Sequence, residues 1–238
     1  MNERLSIAVP LHNRLAIASH CIPTVHAGMG ADDCLAVYND GTTEPDPEDR
    51  LHKLPWSFMS TQPAPIGIEE QRRRHFFDFA DRPQFTHLYL TDADALHDPQ
   101  WRAHALRLQE TYGGAPVCLY NTHAHEWLDG NTIEDNPDHE VIFRQVAPGI
   151  SYLLTREQAM KVVDYLMFNS PRGHWNWDWT VPSILGRRMA ISRMSYVDHI
   201  GLGGYHHPSN EGLDGGDRAT TPTPWLIQKR AEVVKALS

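Results

Sequence analysis

Three short apolar runs in the first half of the chain are each followed at once by polar residues. They are residues 5–9, 34–38 and 87–90. Continuous apolar runs of this length are typical of strands that are buried on both faces of a parallel sheet. We therefore predict an α/β fold in which these three runs form neighbouring parallel strands.

Helical patterns lie between and after these strands. Residues 68–79 follow a glycine, and their spacing predicts a helix with Ile68, Phe76 and Phe79 turned inward. Thr155 is followed three residues later by glutamine, which is the signature of a capping box at a helix start. The pattern predicts alternating strands and helices around one core.

Two proline-containing segments predict a helix start and a long loop. Asp98 followed by Pro99 predicts an N-cap and the first residue of a helix. Residues 42–65 are rich in proline and weakly periodic, so we expect a long loop there. We predict a single domain over residues 1–238, with a first half that ends at residue 99 and a second half from residue 100.

Length and composition narrow the class of protein. The chain has 238 residues, no apolar stretch long enough to span a membrane and a net charge of −9. An acidic protein is a poor ligand for a nucleic-acid backbone, so nucleic acid is expected only as a substrate for modification. The three cysteines are odd in number and lack CxxC spacing, which favours a reduced, cytoplasmic setting.

The polar residues after the three strands carry the candidate chemistry. His12 and Asn13 follow the first strand, Asp40 follows the second, and Asp92 and Asp94 follow the third. Since the carboxyl ends of parallel strands meet at one edge of a sheet, we expect one shared crevice. Two carboxylates spaced i and i+2 point to the same side of an extended backbone and suit Mg²⁺ or Mn²⁺.

These motifs resemble those of the GT-A glycosyltransferases, in particular the family 2-like members. Residues 6–10 (SIAVP) are similar to the opening strand of the family, and residues 37–44 (VYNDGTTE) to its second motif. Gly67 and Arg72 are similar to its next motif, and residues 92–94 (DAD) to its metal-binding motif. The resemblance implies a GT-A fold, with a mixed, mostly parallel sheet that is flanked by helices.

The resemblance also implies a donor site for a nucleotide sugar, most simply a UDP-sugar. The implied nucleotide-binding residues are Pro10, His12, Asn13, Asp40, Gly67, Arg72, Asp92 and Ala93. A Mn²⁺ or Mg²⁺ ion would be held by Asp92 and Asp94 and completed by His199, with His206 as the second choice.

The second half resembles the acceptor side of the family. Gly149 opens a segment (GISYLLT) similar to the strand beside the acceptor, and residues 175–179 (WNWDW) resemble the segment that carries the catalytic base. Asp178 would then take the proton from an acceptor hydroxyl, with inversion at the anomeric carbon as the expected outcome and retention left open. The remaining implied acceptor contacts are Trp175, Trp177 and Trp179.

Two other classes of function compete with this reading. His123 and His125 alternate as in a zinc hydrolase, and with Asp94 they would form a hydrolytic metal site. The three tryptophans would alternatively form the stacking platform of a non-catalytic sugar-binding module, or simply a packed aromatic core. The acceptor stays open, whether a glycan, a small molecule, a protein or a modified DNA base.

Overall fold

The computed structural model describes residues 3–126, 128–169, 176–201 and 218–237. Trp175 and His206, two of the candidate site residues, lie outside them. The strands are β1 (Leu5–Leu11), β2 (Cys34–Asn39), β3 (Phe58–Thr61), β4 (His87–Thr91), β5 (Ala95–His97), β6 (Val117–Cys118), β7 (Thr132–Glu134), β8 (Val141–Arg144), β9 (Ser151–Thr155), β10 (Met189–Ser192) and β11 (Val197–His199). The helices are α1 (Leu15–Ala27), α2 (Arg50–Lys53), α3 (Ile68–Ala80), α4 (Trp101–Thr111), α5 (His123–Glu126), α6 (Arg156–Phe168), α7 (Trp177–Ile184) and α8 (Pro224–Leu237).

Within the described ranges one mixed sheet of nine strands forms the centre of the fold, in the order β3-β2-β1-β4-β9-β6-β10-β8-β7. The strands β9 and β8 run opposite to the others. Helices flank this sheet, and the buried apolar side chains of the sheet and the helices form its core. The predicted α/β architecture with a mostly parallel sheet is confirmed.

The three predicted strands are neighbours in the sheet. β1 pairs in parallel with β2 on one side and with β4 on the other, so that Ala8 lies between Ala36 and Leu90. All three strands are almost entirely buried, which is why their sequences are continuously apolar. Their carboxyl ends therefore meet at one edge, as expected.

The expected loop at residues 42–65 contains a strand that the pattern did not indicate. β3 pairs in parallel with β2 at the edge of the sheet. Its side chains are only partly buried, so its sequence, FMST, lacks the apolar run that marks an interior strand. An edge strand of this kind leaves little trace in the sequence.

Two details of the predicted helices are wrong. Phe76 and Phe79 of α3 are buried as expected, but Ile68 is 47% exposed because it lies at the first residue of the helix. Asp98 does not cap a helix that starts at Pro99, since α4 begins at Trp101. The Asp98 carboxylate instead accepts from the Gln100 N–H at 2.8 Å and from the Thr223 hydroxyl at 2.8 Å.

A second, two-stranded sheet places a late part of the chain beside the strand ends. β11 pairs antiparallel with β5, and His199 lies opposite Ala95. β5 begins one residue after Asp94, so this pairing brings His199 to the acidic turn. Asp94 and His199 are 105 residues apart in the sequence and are neighbours in the fold.

The structure bears on the predictions made from the cysteines and from the lack of a membrane-spanning stretch. Cys21, Cys34 and Cys118 are free thiols, and the cytoplasmic setting stays a prediction. In the described part of the chain, no helix combines the length and the apolarity that a membrane crossing requires.

The capping box at Thr155 is confirmed and gives a first testable prediction. The Thr155 hydroxyl accepts from the Gln158 N–H at 3.2 Å, and the Gln158 side chain accepts from the Thr155 N–H at 2.9 Å. We expect Thr155→Ala to lower the free energy of unfolding by about 1 kcal/mol, measured by urea denaturation. Thr111→Ala, at the exposed end of α4, is the control, and an equal effect of both substitutions would contradict the capping role.

Candidate functional site

A cavity of about 290 Å³ opens where the carboxyl ends of β1, β2 and β4 meet. It lies where open α/β sheets bind their ligands. Most of the donor and metal residues that the sequence indicated line it. The lining residues are Pro10, Leu11, His12, Asn13, Arg14, Asp40, Ile68, Gln71, Asp92, Ala93, Asp94, His199 and Gly201.

The turn after β1 has an unusual backbone. Asn13 and Arg14 both have positive φ angles, 55° and 59°, in the left-handed region that L-residues rarely adopt. The Asn13 side chain stabilises this turn by accepting from the N–H groups of Thr43 and Glu44 at 2.9 and 3.0 Å. Strained backbone of this kind is concentrated at functional sites, and here it directs the Arg14 side chain toward the acidic turn.

An arginine and a histidine contact the same oxygen of Asp94. Its Oδ2 accepts from Arg14 Nη1 at 2.7 Å and lies 2.9 Å from His199 Nε2. Burial opposes ionisation of the carboxyl, but His199 and Arg14 outweigh it and hold the Asp94 pKa well below its usual range. Asp94 is therefore a buried carboxylate.

Asp92 has a different partner. Its carboxylate accepts from Arg72, a nearly fully buried arginine of α3. The Asp92 pKa is raised overall. Burial raises it most, Arg72 opposes this, and the charges of Asp94 and Asp178 raise it as well. The chain turns after β4 ends at Thr91, so the backbone is not extended and the two carboxylates take separate partners. The condition of an extended backbone is therefore not met, although both carboxylates line the same cavity.

Asp40 lines the cavity but already has backbone partners. Its two oxygens accept from the N–H groups of Ile66 and Gly67 at 2.7 and 2.9 Å, just before α3 begins. Gly67 has a φ of 86°, which a side chain would strain. His12 Nδ1 lies 2.6 Å from the Asp40 carbonyl oxygen. Asp40 therefore positions the start of α3, and so the side chains of that helix, at the cavity.

Asp178 lies in the first turn of α7, after the capping residue Asn176. Its Oδ1 accepts from the Gly149 N–H at 2.7 Å, and its Oδ2 lies 3.3 Å from His125 Nε2. A Cβ atom on Gly149 would come within 2.9 Å of that Oδ1, so a side chain at this position would displace the Asp178 carboxylate. The side chain of Asp178 is 31% exposed and can reach a ligand.

Arg72 connects the two acidic regions. Besides Asp92 it donates to the carbonyl oxygen of Gly149 at 3.4 Å, and the N–H of the same glycine binds Asp178. Arg72 and Gly67 do not line the cavity themselves. Arg72 therefore acts on the cavity through the Asp92 carboxylate.

The tryptophans of the 175–179 segment differ from one another. Trp177 is 7% exposed and stacks on Phe76 with ring centroids 6.0 Å apart, so it belongs to the core. Its assignment as an acceptor contact is wrong, because its ring is covered by α3. Trp179 is 48% exposed and remains a candidate for stacking on a sugar. Of the two tryptophans that the structure describes in this segment, Trp179 alone is exposed enough to contribute to a stacking platform.

The hydrolytic site expected from the sequence is not assembled. Among the described residues, no three His, Cys, Asp or Glu side chains are grouped to hold a metal ion. His125 lies against Asp178 rather than Asp94. By the same observation, Asp92, Asp94 and His199 are not a complete three-ligand site by themselves.

Sequence reasoning did not single out Gln71 as a cavity residue. Arg14 belongs to the polar tip after β1, which the sequence placed at the shared crevice, but no pattern indicated that it pairs with Asp94. Gln71 directly precedes Arg72, and nothing in the sequence indicated that a glutamine at this position would line the cavity. The contact of His125 with Asp178 joins positions 53 apart in the chain, and no local pattern predicts it.

No protein-family model matches the chain, and no curated protein sequence matches it significantly. The fold does match solved structures of S. aureus TarS, residues 1–349. The complex of TarS with UDP-GlcNAc has a TM-score of 0.59 and 11% identity, over 82% of this chain and 57% of the TarS chain. The complex with UDP gives 0.57 and 11%, over 82% and 59%.

This likeness establishes the architecture. The mixed α/β fold, with its large and mostly parallel sheet between helices, matches the GT-A-like glycosyltransferase fold. The chain covers less than two thirds of the length of the TarS fragments that it matches.

Proposed function

We propose that the chain is a glycosyltransferase that moves a sugar from a UDP-sugar to an acceptor hydroxyl. The observation that carries the proposal is the cavity at the strand ends, where Asp92 and Asp94 meet two arginines and His199 in a GT-A-like fold. Structures of TarS with UDP-GlcNAc and with UDP support a nucleotide-sugar donor. We also propose the more specific assignment, that the chain is a family 2-like member of the GT-A glycosyltransferases.

The diphosphate of the donor would lie against Arg14, Asp94 and His199. Arg14 presents a fixed guanidinium, and guanidinium groups pair well with phosphate oxygens. On departure of the sugar, the developing charge on the nucleoside diphosphate would be stabilised by this preorganised cation. The left-handed turn at Asn13 and Arg14 holds the cation in place before the donor arrives.

A Mn²⁺ or Mg²⁺ ion fits this arrangement. Asp94 and His199, whose Oδ2 and Nε2 atoms lie 2.9 Å apart, would hold the ion, with Asp92 beside them in the cavity lining. Mg²⁺ sites commonly use one or two carboxylates and complete the shell with water and substrate phosphates. When bound, the ion would neutralise charge on the leaving diphosphate.

Asp178 is the proposed general base. Its carboxylate is partly exposed and positioned by the Gly149 N–H, and it lies near enough to Asp92 to influence the pKa of that group. Asp178 would accept the proton of the acceptor hydroxyl as that oxygen attacks the anomeric carbon and the bond to the diphosphate breaks. A single displacement of this kind inverts the anomeric configuration.

Calorimetric titration with UDP, GDP, CDP and dTDP, in Mn²⁺ and then in EDTA, tests the donor site. We expect UDP to bind in Mn²⁺ and to lose at least about tenfold in affinity in EDTA, since metal and phosphate bind together. Asp94→Ala should cause a similar loss, because it removes the group that Arg14 and His199 hold.

The matched control is Asp164→Ala, which replaces an exposed aspartate of α6 away from the cavity. It should bind UDP as the wild type does. If none of the four nucleotides binds to the folded wild-type protein in either condition, the proposed donor site does not exist. Binding that is insensitive to EDTA would remove the metal from the proposal and leave Arg14 as the diphosphate cation.

A further inference from the structure

One buried amide in the cavity lacks a partner. Gln71 is 1% exposed and lines the cavity, and neither its Oε1 nor its Nε2 has a hydrogen-bond partner among the described residues. A buried amide without partners costs about 1–3 kcal/mol, so such groups are rare unless a ligand satisfies them. The side chain offers an adjacent acceptor and donor in one plane.

Asp40, which the family resemblance implied as a nucleotide-binding residue, already has hydrogen-bond partners in the backbone. Both oxygens of Asp40 accept backbone N–H groups of the segment before α3. Those contacts place Gln71, one turn into α3, at the cavity wall. Asp40 therefore already has a partner on each oxygen, whereas the Gln71 amide has none among the described residues.

An apolar surface lies next to the amide. Ile68 is one turn before Gln71 on α3, is 47% exposed and lines the same cavity. Leu11, at the end of β1, adds a second apolar wall. Planar heteroaromatic rings bind in this way, with their faces on apolar side chains and their edges on a few polar groups.

We infer that Gln71 reads the edge of the donor's nucleobase and that Ile68 packs on its face. The amide Oε1 accepts from the uracil N3–H, and Nε2 donates to the neighbouring carbonyl oxygen, which satisfies both buried atoms. This inference rests on the proposed function, because it assumes that the cavity binds a nucleoside diphosphate. It assigns the choice of base to Gln71 instead of Asp40.

Two substitutions separate the hydrogen bonds from the shape of the side chain. Gln71→Met keeps the length but removes the donor and the acceptor, and it should weaken UDP binding by about tenfold or more, since the base edge loses its partners. Gln71→Glu presents two acceptors, so it should also weaken UDP and shift the preference toward GDP, whose base offers two adjacent N–H donors.

Calorimetry with UDP, GDP and inorganic pyrophosphate in Mn²⁺ distinguishes the outcomes. Pyrophosphate lacks a base, so its affinity should be unchanged in both variants, and thermal melting should show that they are folded. Gln228→Met, at an exposed glutamine of α8, is the control. Wild-type affinity and base preference in Gln71→Met would overturn the inference and leave the proposed function intact. Absence of UDP binding in the wild type would overturn both.

Discussion

Asp178→Asn is expected to reduce sugar transfer by about 10²- to 10⁴-fold and to leave UDP affinity unchanged. The asparagine Oδ1 still accepts the Gly149 N–H, so the start of α7 keeps its position. The amide has no basicity and cannot take the acceptor's proton. A residue that acts only in the chemical step should lower the rate without lowering donor affinity.

Two measurements check this result. One is the rate of UDP release from a panel of UDP-sugars with a panel of hydroxyl acceptors, and the other is UDP binding by calorimetry. Asp164→Asn, an exposed position on α6, is the control and should match the wild type in both. Wild-type turnover in Asp178→Asn would exclude this residue as the base. Loss of UDP binding would instead assign it to the donor site.

Asp33→Ala is expected to lower the free energy of unfolding by about 3 kcal/mol or more. The Asp33 side chain is fully buried, and its two oxygens accept from Arg102 and from the N–H groups of Leu5 and Gly30. It thereby joins the start of β1, the turn before β2 and α4. Alanine would leave the Arg102 guanidinium without its carboxylate, on a side chain that is only 21% exposed.

The neighbouring residue provides a matched control. Asp32 forms an exposed pair with Arg4 at 4.0 Å, so Asp32→Ala should change the free energy of unfolding by less than about 0.5 kcal/mol. Urea denaturation of the two variants measures the difference directly. Equal effects of the two substitutions would mean that Asp33 contributes no more than a surface ion pair.

The interior strands could be predicted from the sequence because burial on both faces imposes an apolar run. β1, β2 and β4 meet that condition, whereas the edge strand β3 does not, so its sequence predicts a loop. The capping box was predictable for a similar reason, since its two side chains interact with the backbone only three residues away.

The site was predictable where it follows the strand ends and unpredictable where it depends on packing. Asp92 and Asp94 come directly after β4, but their separate partners depend on the turn that follows. The burial of Trp177 was not predictable, because a sequence cannot show that Phe76 stacks on its ring. The pairing of Arg14 with Asp94 could not be predicted, because the direction of the Arg14 side chain depends on a left-handed backbone that arginine rarely adopts.

The position of Arg72 has a thermodynamic consequence. One guanidinium binds Asp92 in the donor cavity and the carbonyl of Gly149, whose N–H holds Asp178. A donor that draws Asp92 toward itself would, on the proposed function, alter the contact of Arg72 with Gly149 and so the mean position of Asp178. Donor and acceptor binding would then be linked, and linkage requires each ligand to change the affinity of the other by the same factor.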